Sequence, residues 1–392
     1  MTTQLADVQT YFDSEELIQI VSGLIRQKSE NPLETEEEAA RFVYNLLVRE
    51  GIEAELSWAA PGRPNVIARI KGSNPTGPTL LYNGHLDVVP AGEGWSMDPF
   101  AAIIQDGKLY GRGAADMKSG VAAMIYAAMM LKRMGNPFSG ELILFFNVDE
   151  ERVNIGMKQF LKEDISADYA IISEPTELDI CIAHKGVGRY RLVTQGVPGH
   201  AAAVKEPDNA ICKMAKLISS LEQTGREVKK RVHPLLGPGS LTVTQIKGGT
   251  AANIVPGYCE IEIDRRVIPG DTRESVLEEL NEVIGKTAKD NGFDYELIDY
   301  LFIPASYIPQ DHSLVHGLLE VSRSIQEKDP EVKIFEATCE APFLSVDKGI
   351  PTVICGPGSL KQAHITDEFV EIKQIVKASR IYIDLVMHLL KN

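Results

Sequence analysis

The sequence predicts an α/β chain: a mostly parallel sheet covered by helices, interrupted by a smaller inserted α+β domain. Three observations carry that reading. Helical and strand-like apolar patterns alternate through the first half and return near the end. Between about Lys185 and Ala305 the rhythm changes to β-α-β-β-α-β, the order of a ferredoxin-like sandwich. At 392 residues, the chain exceeds the size at which one core usually stops growing.

The elements follow in order. Ser14–Gln27 has helical apolar spacing, with Ser14 as N-cap ahead of acidic residues. Thr35–Glu50 repeats the pattern, and Thr35 with Glu38 has the form of a capping box. Strand-like runs follow at Asn65–Ile70 and Thr79–Tyr82, then an Ala/Met-rich helix over Ser119–Met134, stopped by Gly135-Asn-Pro. Further apolar strands are expected at Leu142–Val148 and Tyr169–Ile172. In the inserted segment, strands are predicted at Gly188–Thr194, Leu241–Ile246, Cys259–Val267 and Phe293–Tyr300, with helices over Asp208–Gln223 and Arg273–Asp290. One sheet face and an edge strand would remain to be covered, and an open edge is often used for association; a dimer is therefore expected. After Ala305 come a helix over His312–Ser324, a β-branched strand at Pro351–Ile354 and a long amphipathic helix over Glu371–Lys391. The expected division is 1–184 with 304–392, interrupted by 185–303.

Composition narrows the function. The chain is 44% hydrophobic and 24% charged with a net charge of −15, and its only short basic run, Lys229-Lys230-Arg231, reads as a solvated helix end. Nucleic-acid binding is not expected. Residues 1–13 lack the basic and apolar regions of a secretory signal, and Val121–Leu131 falls short of the ~20 residues that span a bilayer. The five cysteines are scattered, odd in number and form no C-x-x-C pair, which argues against a disulfide framework. A reduced, cytoplasmic, soluble protein is expected, with no membrane partner.

The chemistry lies at the strand ends. His85, Glu151 and Glu174 stand just past apolar strands, and the last strand runs through Gly-Pro-Gly towards His364. Ligands of open α/β sheets bind beyond the carboxyl ends of the strands, so residues distant in sequence can meet there. In His85-Leu-Asp87 the i, i+2 spacing puts both side chains on one face of a strand. Asp87 could then take the second ring N–H of a metal-bound His85. The glycine-rich turn Gly111-Arg-Gly-Ala-Ala-Asp116 lacks the phasing of a dinucleotide loop, and a carboxylate held in it can bridge two cations. In Asp149-Glu150-Glu151, adjacent glutamates point apart, so one can bind metal while the other acts as general base. Each motif alone fits an ordinary polar turn. Together, three carboxylates and two imidazoles suit zinc, cobalt or manganese, and five ligands with one bridging suggest two metals.

Read in order, Gly84-His85-Leu-Asp87-Val-Val-Pro90, Gly111-Arg-Gly-Ala-Ala-Asp116-Met-Lys118, Asp149-Glu150-Glu151, Ser173-Glu174-Pro175, Gly199-His200-Ala201 and Ala363-His364 resemble the dinuclear zinc amidohydrolase and peptidase family. That family includes acetylornithine deacetylase, succinyl-diaminopimelate desuccinylase, aminoacylase and glutamate carboxypeptidase. The resemblance implies two zinc ions per subunit, with cobalt or manganese as substitutes. It places one on His85, Asp116 and Glu174, and the other on Asp116, Glu151 and His364. It makes Glu150 the general base and Asp87 the residue orienting His85. It also makes 185–303 a dimerisation domain, whose His200 reaches into the partner's site to bind the carbonyl oxygen. Asn253 and Arg266 resemble substrate-holding positions, Arg266 gripping a carboxylate or, on the plainer reading, forming a structural ion pair. The implied substrate is a small N-acyl amino acid or peptide. An acetylornithine-type deacetylase of arginine biosynthesis leads, ahead of a desuccinylase, a dipeptidase or a carboxypeptidase, with a non-catalytic metal-binding dimer last. One segment departs: Thr338-Cys339-Glu340-Ala341 stands where many members carry Thr-Asp-Ala, which bears on substrate preference.

Overall fold

The chain forms two compact units in a computed structural model that describes residues 12–391. Most of the stretch read above for a secretory signal, 1–11, lies outside the described residues. The first unit comprises 1–182, 308–335 and 339–392; the second comprises 183–307 and 336–338. Among the described residues, no helix is long and apolar enough to cross a membrane.

In chain order the first unit begins with helices α1 (Ser14–Arg26) and α2 (Glu37–Arg49), then strands β1 (Glu53–Ala60), β2 (Arg63–Lys71) and β3 (Asn74–His85). Helix α3 (Ser119–Arg133), β4 (Ser139–Asn147), β5 (Tyr169–Pro175) and β6 (Ile180–His184) follow. The second unit is built from β7 (Gly186–Gln195), α4 (Ala210–Val228), β8 (Ser240–Gly248), β9 (Tyr258–Val267), α5 (Arg273–Asn291) and β10 (Tyr295–Ile303). The chain then returns to the first unit with α6 (Ser313–Ile325), β11 (Thr352–Gly356) and α7 (Ile372–Leu389).

Two helix starts differ from the sequence reading. Asp13, not Ser14, caps α1, its Oδ1 accepting from the amides of Glu15 at 2.8 Å and Glu16 at 3.3 Å. No capping box opens α2: its N-cap is Glu36, with no side-chain cap bond. The carboxyl of Glu36 turns inward to Arg63 instead, at 3.3 Å.

The main sheet runs β1-β2-β4-β3-β5-β11-β6. Its centre, β4-β3-β5-β11, is parallel, and the flanking pairs β1–β2, β2–β4 and β11–β6 are antiparallel. Register aligns Leu81 with Ile143 on one side and Ala170 on the other, so these strands are buried and read as continuous apolar runs. Helix α3, apolar nearly all round, packs against α1 and α7, and α7 packs against α6. Close approach explains one glycine: a Cβ at Gly120 would lie 2.4 Å from the carbonyl oxygen of Ser173 on β5. Because the four central strands are parallel, their carboxyl ends share one edge. His85 ends β3, Glu150 and Glu151 follow β4, Glu174 is the last residue but one of β5, and β11 leads to His364.

The second unit has sheet order β8-β9-β7-β10, antiparallel throughout. Tyr190, Leu192, Ile261 and Ile263 meet Met214 and Leu217 of α4 and Leu280 and Ile284 of α5 in its core. Strand β8 pairs only with β9 among the described residues, and its Ile246 is exposed.

Candidate metal centre

His85 is placed by β3 and almost fully buried. Its Nδ1 lies 2.9 Å from the backbone carbonyl of Asp87, while the Asp87 carboxylate stands 3.7 Å away. A carbonyl only accepts, so Nδ1 carries a proton and Nε2 is the nitrogen turned to the carboxylates. Nε2 faces Asp116 Oδ1 at 3.1 Å and Glu174 Oε1 at 3.8 Å. Asp87 therefore orients the ring through its main chain rather than its carboxylate. That carboxylate has other partners: it accepts from the amides of Glu150 at 3.0 Å and Glu151 at 3.1 Å, and from Asn31 Nδ2 at 3.0 Å.

Asp116 lies in the turn Ala114–Lys118, which departs from helical geometry at Asp116 and Met117 before α3 begins. Gly113 opens the turn with φ 83°, where a Cβ would come within 2.6 Å of Val88. The two oxygens of Asp116 divide: Oδ1 faces His85, and Oδ2 lies 3.3 Å from His364 Nε2. The same Nε2 lies 3.0 Å from Glu151 Oε1. His364 sits in a turn with φ 62°, α7 starts later without a side-chain cap, and Asp367 accepts from the amide of Ser96 at 2.9 Å.

Two clusters result, with Asp116 common to both. His85, Asp116 and Glu174 bring ligand atoms within 4.8 Å of one another, as do Asp116, Glu151 and His364. Glu150 joins His85 and Glu151 within the same distance. These donors, imidazole and carboxylate with one carboxylate able to bridge, fit a pair of divalent cations.

Electrostatics point the same way. Burial would favour a protonated Asp116, yet hydrogen bonds from His364 and His85 hold its carboxyl well below the usual range. Contacts with Asp116 and Glu151 push His364 up to about 10. Burial disfavours charge on His85, but Asp116, Glu174 and Glu150 together raise it well above the ordinary imidazole value. Burial, reinforced by neighbouring acids, pushes Glu150 and Glu174 well up. So much acid in a buried space calls for added positive charge.

Glu340, from the segment that departs from the family pattern, and several residues that carried no signal in the sequence reading also stand at the site. Glu340, fully buried, has one oxygen 3.0 Å from Asn147 Nδ2, and after burial it is the foremost group raising Glu150. Asn147 in turn accepts from Asn83 at 2.8 Å. Asn31 bridges Asp87 to Asp149, and Arg63 bonds Asp149 at 2.7 Å and Asn31 at 3.2 Å. For Asn83 and Asn147 the sequence clue is a polar residue closing an otherwise apolar run. The remaining sequence-predicted residues belong to the second unit. His200 and Asn253 are neighbours there: His200 pairs with Ile254, and the amide of Ala201 donates to the Asn253 carbonyl at 3.0 Å. Arg266, on β9, is ion-paired with Asp264 at 2.9 Å.

A sheet that gathers paired imidazole–carboxylate clusters at its carboxyl edge defines a metal-dependent hydrolase. Residues 81–388 match the model of Peptidase family M20/M25/M40, and the chain belongs to that family. It is 34% identical over 334 residues to acetylornithine deacetylase of Pectobacterium carotovorum, covering 83% of this chain and 82% of that one. It is 28% identical over 402 residues to N-formyl-4-amino-5-aminomethyl-2-methylpyrimidine deformylase of Bacillus subtilis, covering 95% and 94%. Among solved structures, a dinuclear metal-binding peptidase of the M20 family from Bacillus subtilis shares the fold, with TM-score 0.74 and 20% identity over 96% of this chain and 98% of that one. The protein is an enzyme acting on amide bonds.

Proposed function

We propose that the enzyme removes a short acyl group from the nitrogen of a small N-acyl amino acid, as an acetylornithine deacetylase does. The division of the Asp116 oxygens between His85 and His364, with Glu150 alongside, carries this reading. His85, Asp116 and Glu174 would hold one zinc ion and Asp116, Glu151 and His364 the other, cobalt and manganese being substitutes. Bound there, the cations supply a water of lowered pKa and a Lewis acid for the amide carbonyl. Glu150 takes the proton of the attacking water and returns it to the departing amine; its burial beside Glu340 suits a base that must hold a proton between those steps. Asp87 fixes the His85 tautomer through its carbonyl and the Glu150-Glu151 backbone through its carboxylate.

The family resemblance supports a cytoplasmic homodimer joined through residues 185–303. It also supports His200 acting on the carbonyl oxygen across the dimer, and Asn253 and Arg266 holding substrate. The ion pair to Asp264 leaves Arg266 partly exposed, with donors to spare for a substrate carboxylate. A second reading comes from the pyrimidine deformylase, which matches more of the chain at lower identity. Both relatives take a one- or two-carbon acyl group off nitrogen, but the amine in the deformylase's name has no carboxylate.

Turnover of N-acetylornithine, N-succinyl-diaminopimelate, the N-formylaminopyrimidine and small dipeptides, measured side by side on zinc- and cobalt-loaded enzyme, tests the assignment. Acetylornithine should lead, and Arg266→Ala should raise its KM while leaving the formylpyrimidine unaffected. A panel led by the formylpyrimidine replaces the first reading with the second. Glu150→Ala should keep two cations and lose at least ~100-fold in turnover; unchanged turnover removes Glu150 as base.

A further inference from the structure

The glycine-rich turn before α3 has the form of an anion cradle, since successive backbone N–H groups in such turns converge on negative charge. Its occupant comes from the chain itself. Glu368, almost fully buried, accepts through Oε2 from Gly113 N at 3.0 Å and Arg112 Nη1 at 2.6 Å, and through Oε1 from Ala115 N at 2.8 Å and Asp116 N at 3.1 Å. The main chain reinforces the join: Gly111 N donates to the Glu368 carbonyl at 2.9 Å, and strand Phe369–Glu371 pairs with Lys108–Tyr110. Arg112 is itself fixed, its guanidinium 5.2 Å from the Trp95 ring.

We propose that Glu368 is a positioning residue that keeps the Asp116 carboxylate free to bridge two cations. It also ties the loop bearing His364 to the turn bearing Asp116. The proposal rests on the two-cation reading of the pocket. Aspartate in a tight turn tends to bond nearby backbone N–H groups with its own side chain. Here a second carboxylate has taken those donors, and both Asp116 oxygens turn to the histidines. Glu368 stands four residues beyond His364, so one short segment supplies both a ligand and the support for another ligand. It touches no reacting atom and acts through Asp116.

The test is cobalt binding by competition with a chromophoric chelator, on the parent and on E368Q. An amide has only one accepting oxygen, so part of the turn loses its acceptor and Asp116 can fold back onto the freed N–H groups. The expected result is cobalt Kd weakened ~10–100-fold, the range for lost supporting contacts around metal ligands. The cobalt absorption bands should change with it. A purely structural Glu368 would lower the thermal midpoints of metal-free and loaded protein equally and leave Kd alone. Two equivalents bound at the parental Kd by folded E368Q overturn the proposal. If E368Q does not fold, R112Q/E368Q removes both charges and is read the same way. If neither folds, hydrogen exchange on the parent decides. The amides of Gly113, Ala115 and Asp116 should be protected before cobalt is added, and protection appearing only with cobalt overturns the proposal. A parent that fails to bind two equivalents instead defeats the two-cation reading itself.

Discussion

The inner half of the pocket, His85 with Asp116 and Glu174, and the outer half, Asp116 with Glu151 and His364, hold their ligands by different means. His85 and Glu174 stand at the carboxyl ends of adjacent parallel strands and are at most 4% exposed, so sheet register places them. His364 lies in a turn with positive φ and its side chain is 51% exposed, while Glu151 follows Asp149, another residue with positive φ. Register cannot place those two. Hydrogen bonds donated by the Glu151 amide to Asp87, and by the Asp116 turn to Glu368 on the segment bearing His364, do so instead. Strand ends deliver ligands through the core, whereas loops need polar partners of their own.

The largest effect should come from removing one histidine from each half. In cobalt titrations, His364→Ala should still bind one equivalent near the parental affinity of the tighter site. His85→Ala should weaken the tighter site by more than the ~10–100-fold typical of lost supporting contacts. Equal losses in the two variants would show the halves to be equivalent and end the comparison.

Asp87→Asn is a finer instrument. Its backbone carbonyl still fixes His85, but an amide offers one acceptor where the carboxylate offers one to each of Glu150 and Glu151. Turnover and outer-cation affinity should fall ~10–100-fold while inner-cation affinity holds. Matching losses at both sites would return the carboxylate to a direct role at His85.

This division also marks how far the sequence could be read. Apolar runs ending in His85, Glu151 and Glu174 were legible because parallel strands bring their carboxyl ends together wherever they lie in the chain. The inserted β-α-β-β-α-β segment was legible through the change of rhythm. Glu368, Asn31 and Arg63 were not: their side-chain hydrogen bonds span 252–256, 32–118 and 29–86 residues, and no local spacing records such a bond. The start of α2 failed for a related reason. Glu36 looked like part of a helix entrance, yet its carboxyl serves a contact across the fold.

That contact gives the smallest expected effect on cation binding. Glu36 supports the outer half indirectly, through Arg63 and Asp149 to the loop bearing Glu151. Burial, with Asp87 adding to it, pushes its carboxyl from 4.5 up to about 7, against the pull of Arg63. Between those values the native protein keeps a proton that the unfolded chain has released, so stability falls as pH rises across that window. The whole fall amounts to about 3 kcal/mol at 1.36 kcal/mol per unit. Glu36→Gln does not titrate. Its thermal midpoint should match the parent near pH 4.5 and exceed it increasingly up to ~pH 8, with the low-pH form of Glu36 as the reference. A variant less stable than the parent at ~pH 8 would mean that the ionised pair with Arg63 outweighs the cost of burying the charge. The loop beneath Glu151 would then depend on that charge as directly as the Asp116 turn depends on Glu368.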